Sequence, residues 1–251
     1  MQLTLIRKLA SLAVIVGAVS VSAGTIVSVV ESGGDTDRPS AKFTGQTFDI
    51  SNPNGTVLVA GYTVPTFDAG AKSMTDRTHA YAPYATTSTL PAYLVGNEYI
   101  MIANNDRDNA SYTLAITLNQ PANLYLLIDN RLGDADAATP PSIGPTGAKM
   151  TWVDPAAGWT PVTTGSNRAL STARPDEIGI DESADGSINN WSSVYTKTFD
   201  AGTLQLKEFN EGSRNMYGVV VGPAIPEPST LALSSLGLAF LGYLGWRRNR
   251  R

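Results

Sequence analysis

Apolar and polar positions alternate along much of this chain with the period of two that a half-buried strand requires. In Tyr112-Thr-Leu-Ala-Ile-Thr-Leu118, Leu114, Ile116 and Leu118 fall on one face and Thr113, Ala115 and Thr117 on the other. Further alternating or β-branched runs span Lys42 to Ile50, Thr56 to Val64, Tyr93 to Ala103, Asn123 to Asp129, Ser192 to Phe199, Thr203 to Phe209 and Met216 to Val221. Turn-forming clusters separate them: Asn52-Pro-Asn-Gly55, Asp106-Arg-Asp-Asn109, Asp200-Ala-Gly202 and Asn210-Glu-Gly-Ser213. Between residues 40 and 222 no apolar stripe at helical spacing lasts three turns. The pattern predicts an all-β body, an antiparallel β-sandwich or jelly roll. Ala135 to Gly147 reads as a Pro- and Gly-rich loop, not a domain boundary, because strand signals resume after it. One β-domain over 40–222 is therefore expected over two smaller sandwiches, with 24–39 a first strand or a linker.

The two ends follow other patterns. Arg7-Lys8 precede an apolar run from Leu9 to Val21, and Val21-Ser22-Ala23 supplies small residues. This is the layout of a secretory signal with cleavage after Ala23; a permanent membrane helix fits the short run less well. At the other end, Pro226-Glu227-Pro228 sits in a Pro-rich linker over 223–229. An uncharged run follows from Thr230 to Trp246, then Arg247, Arg248, Arg250 and Arg251. As a helix the run would reach about 25 Å, the short end of a membrane span, and the arginines would hold its end in the cytoplasm. The order Pro-Glu-Pro, apolar run, arginine cluster resembles the PEP-CTERM sorting signal of bacterial exported proteins. The resemblance implies a partner, an exosortase-like membrane protease that removes the tail, and membrane attachment until it does. The competing reading is an ordinary tail anchor on a proline-rich stalk.

Setting the ends aside changes the charge. The chain carries 18 Lys and Arg against 22 Asp and Glu. Without Arg7, Lys8, the four terminal arginines and Glu227, 12 basic and 21 acidic residues remain, a net charge of −9. Such a body is not a nucleic-acid partner, which needs a basic surface; it suits an extracellular matrix. The chain has no cysteine, so stability rests on a hydrophobic core and no thiolate chemistry is available. With His79 as the one histidine, a multi-histidine metal centre cannot form within one chain.

Two constellations carry candidate chemistry. Asp129, Asn130 and Arg131 end a strand, and Trp152, Trp159 and Trp191 lie near turn residues. Exposed indoles stack on sugar rings while neighbouring polar groups bind hydroxyls, so Asp129, Asn130, Arg131, Trp152 and Trp159 are ligand-binding candidates. The alternative packs the tryptophans in the core and pairs Arg131 with Asp129 or Asp134. Separately, Asp181, Ser183 and Asp185 followed by Gly186 match the opening of a calcium loop. The twelfth position is Ser192, which excludes an EF-hand and leaves a β-turn calcium site or a solvated acidic loop. Asn104, Asp106 and Asp108 form a second oxygen-rich turn. No G-x-S-x-G, H-E-x-x-H or phosphate-binding glycine loop is present.

The stretch from Leu124-Tyr-Leu-Leu-Ile-Asp-Asn-Arg131 through Trp152 and Trp159 to Phe199-Asp-Ala-Gly202 and Met216-Tyr217 looks like the β-sandwich accessory modules of secreted carbohydrate-active enzymes. That resemblance implies a galactose-binding-like jelly roll. Together these features lead to an exported, non-catalytic surface or matrix protein associated with exopolysaccharide, with no cofactor beyond the candidate calcium. The alternative is a small secreted glycan hydrolase or lyase with an unrecognised carboxylate site.

Overall fold

The computed structural model describes residues 25–34, 66–145, 147 and 149–224, and the backbone of 41–43. The signal segment with Ala23, the run Thr56 to Val64, most of Lys42 to Ile50, Pro226-Glu227-Pro228, the 230–246 span and Arg247, Arg248, Arg250 and Arg251 lie outside the described residues.

The described chain is β-structure without an α-helix. Its strands are β1 (Ile26–Ser32), β2 (Ala41–Phe43), β3 (Ala80–Pro83), β4 (Glu98–Met101), β5 (Thr113–Leu118), β6 (Ala122–Asp129), β7 (Thr160–Pro161), β8 (Glu177–Asp181), β9 (Asn190–Phe199), β10 (Gly202–Leu206) and β11 (Gly218–Pro223). Every pairing between them is antiparallel. A small sheet has the order β1-β5-β10, and a larger curled sheet runs β2-β4-β11-β6-β9-β8-β3, with β7 beside β9. The two pack as the expected β-sandwich.

The strand over Thr113–Leu118 has the predicted alternation: Leu114, Ile116 and Leu118 are buried and the residues between them half-buried. They join Val29, Leu204 and Leu206 of the small sheet against Ile100, Leu124, Leu126, Ile128, Val219 and Val221 of the larger one. The larger sheet is buried on its other face as well. There Tyr99, Met101, Tyr125, Leu127, Ile178, Ile180, Val194 and Val220 are covered by Phe67, Leu90 and Leu94 from the long segment before β4. Burial on both faces explains why Leu124 to Ile128 and Val219 to Val221 are unbroken apolar runs.

Tyr93 to Ala103 was expected as one strand, but only Glu98–Met101 is extended in the sheet. Gly96, at φ +81, turns the chain just before it. Of the two readings of residues 24–39, Ile26–Ser32 takes the strand and pairs with β5. β3, β7 and β8 had no counterpart among the predicted runs. β3 is Ala-Tyr-Ala-Pro and β7 Thr-Pro, too short to show a period.

Candidate functional site

Chain direction divides the sandwich into two poles. β6 leads away from the β5–β6 turn to Asp129, and β9 returns from Asn190. β3 and β8 meet at the far pole through the pair Ala80 and Asp181. The sequence-predicted Asp129 and Arg131 lie here. Arg131 donates from Nε to Asp129 Oδ1 at 2.9 Å and from Nη2 to Oδ2 at 2.6 Å. Asp129 also accepts the backbone N–H groups of Arg131 and Asn215, each at 2.9 Å. Its carboxylate is 1 % exposed and fully occupied by these donors, which makes the pair a clamp closing the strand end.

Glu182 lies beside this clamp, and its Oε1 accepts from Asn190 Nδ2 and, at 3.2 Å, from Asn215 Nδ2. Arg131 Nη2 is 3.9 Å from the same oxygen. His79 immediately precedes β3 as Glu182 follows β8, and Thr78 Oγ1 donates to the Glu182 carbonyl at 3.0 Å. Burial first, then the charges of Arg77 and Arg131, lower the His79 pKa against the opposing pull of Glu182 and Asp76, so its imidazole is neutral at pH 7.

The other predicted residues are not brought to this cluster. Trp159 is 3 % exposed, inside the core between the sheets. Trp152 packs against that core in edge-on contact with Trp159 at 6.1 Å and Tyr217 at 6.0 Å, and Trp159 meets Phe199 at 5.9 Å. The Trp152 indole N–H is spent on the Glu208 carbonyl at 3.0 Å. The indoles are thus core packing, the alternative open at the sequence level, and Trp159 presents no face to a sugar. Asn130 is also buried: it donates to Glu177 Oε1 and accepts from Ser193 Oγ, both at 2.7 Å. Trp191 is half-buried, its ring covered at 4.0 Å by the Arg168 guanidinium.

Arg168 in turn grips Glu177 with Nε at 3.0 Å, Nη2 at 2.9 Å and its backbone N–H at 2.9 Å. Burial alone would raise the Glu177 pKa; Arg168 and Asn130 outweigh it and hold the carboxyl below its ordinary value. A depressed folded-state pKa contributes stability above the unfolded value, and that contribution fades as pH falls through the folded one. Stability measured by urea denaturation should therefore drop below about pH 4.5, with a shallower drop in Glu177→Gln.

In the candidate calcium loop, three carboxylate oxygens accept backbone N–H groups of the loop itself. Asp181 accepts from Ser183 N at 3.0 Å and Gly186 N at 2.6 Å, and Asp185 from Ser187 N at 2.9 Å. Desolvation would raise the Asp181 pKa, but backbone N–H groups of residues 183–186 lower it. In the second oxygen-rich turn, Asn104 and Asp106 are buried, and Asn104 Oδ1 accepts from Met216 N at 2.8 Å. Among the described residues no group of three or more His, Cys, Asp or Glu side chains is placed to hold a metal ion.

An open groove of about 460 Å³, which the sequence did not signal, reaches the far pole at Asp181. It runs along edge strand β3, over Ala80, Ala82 and Pro83, and is bounded by Gly70, Ala184, Gly186 and Ile188, with Asp181 at its polar end. Small side chains make the room. In β3, Ala80 and Ala82 flank the buried Tyr81 along the groove, a three-residue signal too short to read unaided.

Residues 224–251 match the family model of the PEP-CTERM protein-sorting motif. The motif implies export and membrane attachment until an exosortase acts. No curated protein matches the chain. A solved β-glucuronidase from glycoside hydrolase family 2 is similar in structure, with 18 % identity and a TM-score of 0.39 over 63 % of this chain. The match covers 13 % of the β-glucuronidase chain.

Proposed function

We propose that this is a non-catalytic surface or matrix protein, displayed with exopolysaccharide after its tail is removed. In this reading the signal peptide ends at Ala23, one β-domain over 40–222 with a leading strand forms the body, and the exported protein ends near Pro226. The observation that carries it is the sorting motif, which begins at residue 224, directly after the last strand of the sheet. An exosortase-like protease is the processing partner. Polysaccharide is the partner of the mature body, taken in the groove along β3 that ends at Asp181.

The geometry favours binding over hydrolysis. A glycosidase sets two carboxyl groups across the scissile bond, whereas the groove lining holds one carboxylate, Asp181, whose oxygens accept backbone N–H groups. Intact-mass measurement on exported protein from the native host should find the last 20 or so residues absent; retention of Arg247 to Arg251 in most of the pool rejects the processing claim. On a glycan array, the body should bind neutral polysaccharide weakly, and Ala82→Arg should abolish the signal by filling the groove. Turnover of a polysaccharide, or binding indifferent to Ala82→Arg, would count against this site.

A further inference from the structure

The two ends of the folded body leave from one pole. At the start of β1, the Thr25 carbonyl accepts from Asn119 N at 3.1 Å, and Thr25 Oγ1 from Gln120 Nε2 at 3.1 Å. At the end of β11, Pro223 pairs with Ala122, and Ala224 N reaches the Pro121 carbonyl at 3.5 Å. One turn, Asn119-Gln120-Pro121, thus ties down both termini. The β9–β10 turn at Asp200-Ala201 lies at the same pole, since Phe199 pairs with Ala122 and Gly202 with Leu118. The Arg131–Glu182 cluster occupies the opposite pole.

Chain length turns this into a constraint. Two residues, Ala224 and Ile225, separate Pro223 from Pro226, so the motif starts within about 10 Å of the sheet even when fully extended. The apolar run at Thr230 begins within about 25 Å of it. β11 is also a central strand, paired on both sides by β4 and β6. Peeling it back to lengthen the tether would break both ladders, and a membrane protease must take Pro226–Pro228 while the sandwich stands beside it.

We propose that the pole formed by the Asn119–Pro121 and Asp200–Ala201 turns is the surface that docks on the membrane-embedded processing protease. The protease then acts on a folded cargo seated pole-first, and the opposite pole with its groove points away from the bilayer. The inference rests on the processing reading above.

The test uses the full-length chain in its native host, following tail removal by intact mass over time. Ala201→Arg places a bulky cation on the exposed turn and should slow processing about tenfold. Ala138→Arg, on an exposed loop near the far pole, should process at the parental rate. Inserting ten Gly and Ser residues between Ala224 and Ile225 should restore processing of Ala201→Arg, because the motif then reaches the protease without the pole. Parental kinetics in Ala201→Arg, slowing equal to that of Ala138→Arg, or failure of the insertion to rescue a variant with unchanged melting temperature overturns the docking surface while leaving processing intact. A parent chain that keeps its tail removes the processing reading itself and this inference with it.

Discussion

Trp159→Ala should destabilise the exported body by about 3–5 kcal/mol, the range for truncating a large aromatic in a packed core. The indole is 3 % exposed and lies between Trp152 and Phe199 in a run of edge-on aromatic contacts. Removing it leaves a cavity bordered by rings that cannot all move inward, since Trp152 is held by the Glu208 carbonyl and Tyr217 by the Lys207 carbonyl. Urea denaturation of parent and variant measures the loss. The outcome also separates two roles: a sugar-stacking indole would affect binding and leave the midpoint nearly unchanged. A shift below about 1 kcal/mol would show that Trp159 is not a core residue.

Asp176→Ala should cost a similar amount, at least about 3 kcal/mol, through unsatisfied polar groups and not through volume. Asp176 is fully buried. Its Oδ1 accepts the backbone N–H groups of Thr164, Gly165 and Ser166 at 2.8, 3.0 and 3.0 Å. Its Oδ2 accepts from Thr164 Oγ1 at 2.6 Å and from the Tyr93 hydroxyl at 2.9 Å. The Tyr93 phenol is pushed far above its usual pKa by burial and then by this carboxylate, so it remains a donor at any working pH. One side chain thus pins the 164–166 turn to the segment covering the second face of the larger sheet. Asp176→Asn keeps an oxygen for the three backbone donors and an amide that both hydroxyls can accept from, so it should cost about 1–2 kcal/mol. Equal losses in Ala and Asn would mean that the charge matters more than the hydrogen-bond count.

Asp176 had no distinguishing mark in the sequence, and the reason is general. The residues that satisfy it come from positions 93 and 164–166, which only the fold brings together. The far-pole cluster has the same character: Arg131, Glu182, Asn190 and Asn215 are separated by up to 84 residues and converge on one oxygen. The local pair was legible, because Asp129 and Arg131 are two apart at a strand end. Its role was not, since pairing the two satisfies both and leaves little for a ligand. The tryptophans show the limit most plainly. Proximity to turn residues places an indole near a strand end but does not say which face of the sheet it meets.

What the sequence determined by itself is whatever depends on neighbours along the chain. Period-two alternation specified β5 and the all-β class, because side chains on a strand are set to opposite faces by the backbone alone. The tail motif was likewise complete in consecutive residues, and the family match falls on those residues. Tertiary structure alone decided which faces were buried, and that turned Leu124 to Ile128 into a strand covered on both sides and Trp159 into core. It also made the groove from small residues of β3 and the 184–188 loop, and brought Thr25 and Ala224 to one turn. Burial and convergence are sums over contacts distant in sequence, whose energies exist only once the chain has closed.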